Sequence, residues 1–365
     1  MKATQLLYNL GQSLWLDNIT RDLLDSGMLQ RYINELSVTG ATVNRTVFNH
    51  AIKNIPAYSA AIREKSSHDK PAEDVFFELA LEDLTRAADM FRPIYDRTNG
   101  VDGWVSLDLS PWLAYDPVNT LSAARELRAR AGRPNLLIKI PGTKEGVPAI
   151  EEAIFHGIPV NATLLFSSDH YLAAAEAFLR GIERRIEAGL APIVGSVASV
   201  FVSRWDAAVN ASVAGDLSDK LGIAIAMRTY KAARDLLKSA RWRRLYNAGA
   251  HPQRLLWAST GTKHRGASDI LYVEALAAPF TITTMPEATL NALAHRRGIG
   301  SILPADGGDC EEVLSRFTSA GIDIDELAHQ FQDEGAEMFV KSWNELMSII
   351  DSTGVPLDRV ARVVS

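Results

Sequence analysis

Cysteine is almost absent from this sequence of 365 residues, which contains only Cys310. One cysteine excludes an internal disulfide framework and indicates a reducing compartment, so we expect a cytoplasmic protein. Basic residues are not in excess: the formal net charge is −6, whereas nucleic-acid surfaces need a concentrated basic face. No apolar run is long enough to cross a bilayer, and residues 1–10 lack the basic start and apolar core of a signal peptide.

Motifs for metals and nucleotides are also missing. The sequence contains no HExxH pair, no P-loop and no cluster of cysteine and histidine at metal-ligand spacing. The sequence therefore predicts neither a metal site nor a nucleotide site.

Segments rich in β-forming residues alternate with helical patterns along the whole chain. The predicted strands lie at 13–16, 37–48, 103–109, 135–143, 158–166, 191–202, 254–259 and 280–284. This alternation predicts an α/β protein with a closed (β/α)8 TIM barrel as a single domain over 1–365, with additional helices at the N-terminus and at 323–350. The alternative is an open doubly wound sheet, which would normally carry a Gly-rich turn after its first strand, and 16–19 has none.

Lys139 stands within the fourth predicted strand, between Ile138 and Ile140. Burial of an unpaired ammonium group is costly, and loss of its proton makes the amine a nucleophile toward carbonyl groups. The plainer interpretation is a lysine whose stem lies along apolar surface while its head reaches water. The other strands decide between the two.

Polar side chains occur near the C-terminal ends of six other predicted strands. They are Asp17; Thr42 and Asn44; Ser106 and Asp108; Asn161 and Thr163; Ser199, accompanied by Phe201; and Ser259. Paired members are two residues apart and therefore face the same side of a strand. Since buried polar groups need partners, an active site at the C-terminal mouth of the barrel is the explanation that accounts for all of them.

The side chains suit Schiff-base chemistry on a sugar. A neutral Lys139 amine can form an imine with a ketone, after which a carbon–carbon bond can break. Asp17 and Asp108 are the inward carboxylates available for proton transfer, and Thr163 could position a water. The remaining candidates would bind sugar hydroxyls or a phosphate: Asn44 and Asn161 for hydroxyls, and Arg204, Ser199, Ser259 and Lys263 for phosphate.

Several stretches together resemble the transaldolase family, the Schiff-base enzymes of the pentose phosphate pathway. These stretches are 137–143, 160–167, 199–204, 257–263, 284–286 and 334–342, and the similarity covers nearly the whole chain. The resemblance implies transfer of a dihydroxyacetone unit from a ketose phosphate, such as fructose 6-phosphate or sedoheptulose 7-phosphate, to an aldose phosphate such as erythrose 4-phosphate. It also implies that no cofactor or metal is needed, and homodimers are common in the family.

The resemblance assigns a role to each matching position. Lys139 is the Schiff-base lysine, Asp17 the general acid/base, and Asp108 and Thr163 hold a catalytic water. The substrate contacts that it implies are Asn44 and Asn161 to hydroxyls, Ser199, Arg204 and Ser259 to phosphate, and Phe201 against release of the enamine to water.

The sequence departs from the family at two places. Val43-Asn44-Arg45 replaces the usual Ser-Asn-Pro, and the hypothesis that follows is that Arg45 reads an extra anionic group. Asp108 replaces the usual glutamate and is one methylene shorter, which shifts any water it orients. Three other functions stay open: a related enzyme for an unusual sugar, a fructose-6-phosphate aldolase-like lyase, and a barrel that binds sugar phosphates without turnover.

Overall fold

The computed structural model describes residues 1–43, 51–66, 70–213, 215–262, 264 and 266–354. Its strands are β1 Ser13–Leu16, β2 Val38–Thr42, β3 Val105–Asp108, β4 Leu136–Pro141, β5 Val160–Leu165, β6 Ser196–Phe201, β7 Arg254–Ala258 and β8 Ile282–Met285. All are parallel and follow chain order around a closed barrel, in which β8 pairs with both β7 and β1.

Helices connect the strands and cover the barrel. The described α-helices are α1 Ala3–Leu10, α2 Arg21–Asp25, α3 Met28–Leu36, α4 Pro56–Lys65, α5 Ala72–Arg97, α6 Pro117–Ala131, α7 Gly146–Phe155, α8 Ser168–Glu187, α9 Ser203–Val209, α10 Leu221–Lys238, α11 Ala240–Asn247, α12 Leu271–Ala275, α13 Glu287–Ala294, α14 Cys310–Ser319 and α15 Ile324–Gly354. No helix within these ranges is long and apolar enough to cross a membrane.

Side chains of the strands alternate between two apolar layers. Ile138 and Ile140 of β4 point outward and are fully buried under the helices. The opposite face fills the barrel interior with a separate cluster, which includes Trp15, Trp104, Leu137, Val197 and Leu256. This alternation leaves Lys139, between the two isoleucines, on the interior side.

A buried polar cluster closes the N-terminal end of the interior. Arg254 of β7 donates to the Ser13 hydroxyl at 2.8 Å and to the Val101 carbonyl at 3.1 Å. The Ser13 hydroxyl donates to Asp102, which also accepts from the Trp15 indole N–H at 3.0 Å. Burial lowers the pKa of Arg254, and the nearby Asp102 opposes that change. The interior of the barrel is thus packed at this end, whereas it opens into a cavity at the C-terminal mouth.

The predicted (β/α)8 barrel is confirmed, and the pairing of β1 with β8 excludes the open sheet. Two predicted strands are too long. The strand predicted at 37–48 ends at Thr42, and 44–48 lie outside the described residues. The one predicted at 191–202 begins at Ser196, because the β-forming Ile193 and Val194 belong to the loop before it. The helix predicted at 323–350 is α15.

Candidate active site

Three adjacent strands bring Asp108, Lys139 and Asn161 into one row. In the parallel register Asp108 of β3 lies opposite Lys139 of β4, and Lys139 lies opposite Asn161 of β5. One step further, Pro141 lies opposite Thr163. The row is at the C-terminal ends of the strands, where (β/α)8 barrels carry their chemistry.

The amine of Lys139 has partners at this level of the barrel. Its Nζ donates to the carbonyl of Val43, just after β2, at 2.6 Å and lies 3.7 Å from Oδ1 of Asp108. Lys139 is therefore not the unpaired charge expected from its apolar neighbours in sequence, because the facing carboxylate of Asp108 belongs to the neighbouring strand. Since the side chain is only 13% exposed, the amine meets a carbonyl and a carboxylate rather than bulk water.

Asp17 follows β1 directly and is fixed from two sides. Its backbone N–H donates to the Met285 carbonyl at 2.9 Å, and its Oδ1 accepts from the Thr42 hydroxyl at 3.2 Å. The helix that follows is capped instead by Thr20, whose side chain accepts from the Leu23 N–H. The Asp17 carboxylate is therefore turned to the mouth of the barrel rather than used as a helix cap.

Asn161 links two serines beneath the mouth. Its amide Nδ2 donates to Ser106 Oγ at 3.1 Å, and its Oδ1 accepts from Ser199 Oγ at 2.6 Å. The three side chains are buried and come from β3, β5 and β6. Their hydrogen bonds fix the orientation of the amide and leave Ser199 at the edge of the cavity.

Arg204 lies at the start of α9, beside the turn after β7. Burial lowers its pKa, whereas Glu334 raises it. Among the described residues Arg204 forms one hydrogen bond, a weak one from Nη1 to the thioether sulfur of Met338 at 3.4 Å. Ser259 is close by in the left-handed region, at φ 55°, with its Oγ 2.8 Å from Ser203 Oγ. A guanidinium bonded to a thioether keeps most of its donors for an oxyanion.

A cavity of about 550 Å³ collects these groups at the C-terminal mouth. This volume is typical of a site for a small molecule. The predicted residues on its wall are Asp17, Asp108, Lys139, Thr163, Ser199, Phe201, Arg204 and Ser259. Asn161 is not on that wall, because it is fully buried between its two serines. Asn44, Arg45 and Lys263 lie outside the described residues.

Helix α15 contributes to the cavity in a way that the sequence did not predict. Met338, Phe339 and Ser342 of this helix line it, as do Thr284 and the Thr42 side chain that holds Asp17. The spacing of 338, 339 and 342 places them on one face of a helix, but that mixed polar and apolar face gives no sign of its target.

Comparisons with known proteins place the chain among enzymes of sugar metabolism. The family described as Transaldolase/Fructose-6-phosphate aldolase matches residues 14–350. A transaldolase of Thermobifida fusca (strain YX) is 41% identical over 367 residues, covering 98% of this chain and 97% of its own. Transaldolases of Frankia alni and Mycolicibacterium smegmatis are 39% and 40% identical, over 93% and 95% of this chain and 94% and 95% of their own.

Proposed function

Because the chain belongs to the transaldolase/fructose-6-phosphate aldolase family, we propose that it is a transaldolase that works through a Schiff base on Lys139. The donor is a ketose phosphate, fructose 6-phosphate or sedoheptulose 7-phosphate, and the acceptor is an aldose phosphate such as erythrose 4-phosphate. The observation that carries the proposal is a single cavity lined by Lys139, Asp17, Asp108 and Thr163.

The reaction begins at the Lys139 amine. In its unprotonated form it attacks the ketone carbon of the donor, and loss of water from the resulting carbinolamine gives a protonated imine. The positive nitrogen withdraws electrons, so the bond between the carbon next to the imine carbon and the hydroxyl-bearing carbon beyond it can break. Asp17 takes the proton of the hydroxyl on the departing carbon, the bond breaks, and an aldose leaves while an enamine of dihydroxyacetone stays on Lys139.

The second half repeats these steps in reverse. The enamine carbon attacks the carbonyl of the incoming aldose, and Asp17 returns its proton to the new hydroxyl. Water then adds to the imine and releases the product ketose. We assign the orientation of that water to Asp108, whose Oδ1 is 3.7 Å from Nζ, and to Thr163 on the same cavity wall. The Thr42 hydroxyl positions Asp17 by its hydrogen bond.

The phosphate of the substrate is assigned to the side of the cavity where α9 begins. Arg204 supplies the charge, and Ser199 and Ser259 supply hydroxyls; Lys263 remains a further candidate. Asn161 positions Ser199, and it could contact the sugar only by giving up its hydrogen bonds to Ser106 and Ser199. Its role as a contact to substrate hydroxyls therefore stays a prediction, as does that of Asn44. We also propose that the enzyme is cytoplasmic. That it forms a homodimer stays a prediction.

Borohydride trapping tests the imine. The protein is treated with borohydride in the presence of fructose 6-phosphate, which reduces the imine, and its peptides are analysed by mass spectrometry. We expect a three-carbon adduct on Lys139 in the wild type and in Lys144→Met, a matched change at an exposed lysine, but none in Lys139→Met. An adduct on another lysine, or no adduct with any ketose phosphate, would reject the mechanism and favour a barrel without turnover.

A second experiment separates the transferase from a lyase. Phe201, implied by the resemblance to protect the enamine from water, lies on the cavity wall with its ring 5.3 Å from that of Phe166. We therefore expect fructose 6-phosphate alone to release one glyceraldehyde 3-phosphate per active site and then stop until erythrose 4-phosphate is added. Continuous release of dihydroxyacetone without an acceptor would identify a lyase.

A further inference from the structure

A second cavity, of about 240 Å³, opens at the opposite face of the barrel. It lies among residues that precede the strands, including Trp104 before β3, Pro134 before β4 and Gly195 before β6. It shares no wall residue with the active-site cavity. We refer to it as the N-terminal cavity.

Arg128 brings a positive charge to the wall of the N-terminal cavity. Its Nη1 donates to the carbonyls of Arg133 and Leu136 at 3.3 and 3.2 Å, and within the described ranges it forms no ion pair with a carboxylate. Burial lowers the pKa of Arg128. A partly buried guanidinium without a carboxylate is costly, and a bound anion would offset that cost.

Two further residues that can donate hydrogen bonds line the same cavity. They are Tyr95 and His251, and Arg128 and Tyr95 are close enough for each to shift the pKa of the other. The carboxylate on the wall, Asp96, accepts from Arg92 at 2.7 Å and so carries its own cation. The polar chemistry of the cavity therefore favours a negative ligand.

A second arginine adds to the positive field. Gly157 lies on the wall, and a Cβ there would be 3.0 Å from Nη1 of Arg185. Arg185 donates to the carbonyls of Ala191 and Phe155, both at 2.7 Å, and like Arg128 has no ion pair among the residues that the structure describes. This face is locally positive in a chain with a net charge of −6.

The apolar side of the cavity is rigid. The Trp104 indole packs edge-on against the Tyr95 ring, with centroids 5.0 Å apart, and its N–H donates to the Gly100 carbonyl at 2.9 Å. A Cβ at Gly195 would lie 2.3 Å from the Trp104 ring, so the indole rests directly on that backbone. The cavity is thus preformed, which lowers the entropy cost of binding.

We propose that the N-terminal cavity binds a small oxyanion, a phosphate- or carboxylate-bearing molecule, through Arg128 and Tyr95 against the wall formed by Trp104. The guanidinium fork matches the geometry of both anions. The site is separate from the active site and does not depend on the function proposed for it.

Thermal unfolding of the full chain tests the site, with inorganic phosphate as the probe and sodium chloride holding the ionic strength constant. All proteins carry Arg204→Gln, so that phosphate at the active site does not obscure the result. We expect phosphate to raise the midpoint in a saturable way. Adding Arg128→Gln should raise the half-saturating concentration at least about tenfold, since it removes charge-assisted hydrogen bonds to the anion.

Two further variants control the test. Arg130→Gln, on the same helix and paired with Glu126 at the surface, should leave the phosphate response unchanged. Tyr95→Phe keeps the carbonyl contacts of Arg128 and should weaken the response, so it decides the question if Arg128→Gln fails to fold. Acetate in place of phosphate distinguishes a preference for carboxylate-bearing ligands from a preference for phosphate-bearing ones. No saturable response to either anion, or a response that survives both Arg128→Gln and Tyr95→Phe, would overturn the proposal.

Discussion

Replacing Gly40 by alanine should destabilise the barrel, because the added methyl group would enter space that Trp15 fills. A Cβ on Gly40 would lie 2.5 Å from the indole nitrogen of Trp15 and 2.7 Å from the carbonyl oxygen of Trp104. Neither neighbour can withdraw freely. Trp15 is fully buried and donates to Asp102 at 3.0 Å, and the Trp104 carbonyl accepts from the Ala41 N–H at 3.0 Å.

The magnitude follows from these two obstacles. Overpacking of a filled interior costs about 1–3 kcal/mol, and loss of the buried indole–carboxylate hydrogen bond adds about 1–3 kcal/mol. We expect Gly40→Ala to lower the free energy of unfolding by about 2–6 kcal/mol. Thr42, at the end of the same strand, contacts Asp17, and Val43, just after it, contacts Lys139, so kcat should fall as well.

Urea unfolding followed by far-ultraviolet circular dichroism measures this loss. Gly215→Ala is the matched control, because nothing lies within 4 Å of a Cβ there, and it should leave stability unchanged within about 1 kcal/mol. In a Trp15→Phe background, where the smaller ring leaves room, Gly40→Ala should cost less. If Gly40→Ala costs under about 1 kcal/mol, or costs the same in both backgrounds, the steric reasoning is refuted.

Three other predictions follow from the structure, two for the active site and one for a buried carboxyl group. Thr42→Val, which removes the hydrogen bond to Asp17, should lower kcat about ten- to hundredfold with little change in KM, and Thr42→Ser should restore it; unchanged kcat in steady-state assays would contradict this. Arg204→Gln should raise KM for fructose 6-phosphate about tenfold or more but not for fructose; equal losses on both sugars would remove the phosphate role. Burial raises the pKa of Asp206, on α9, from 3.8 to about 6, so wild-type stability from this group falls as the pH rises through that window. The destabilisation caused by Asp206→Asn should therefore shrink by up to about 3 kcal/mol between pH 3.5 and 7.5 in urea titrations, and a constant difference would show that the carboxyl titrates normally.

The barrel could be predicted because its strands alternate with helices over the whole chain, and its mouth because candidate polar residues fall near the C-terminal ends of most strands. The row formed by Asp108, Lys139 and Asn161 follows from the parallel order of β3, β4 and β5, which the pattern already indicated. Membership of the family rested on sequence stretches and is confirmed by the comparisons.

Contacts between distant segments could not be predicted. The carbonyl of Val43 reaches Lys139 across 96 positions of the chain, through a backbone atom that every residue type carries. Met338 reaches Arg204 across 134 positions, and its helix shows no preference in sequence for the mouth over any other apolar surface. Only the assembled barrel decides which helix face becomes a wall of the site.

The dependence of the cavity on α15 has a consequence for how the enzyme matures. This helix follows all eight strands in chain order, and Met338, Phe339 and Ser342 belong to it. During synthesis all eight strands, including the one that carries Lys139, emerge before α15. A barrel closed at that stage would have an active-site cavity without the wall that α15 provides. Competence for catalysis should therefore arrive later than the barrel itself, as a separate docking step that a ribosome-bound intermediate would display.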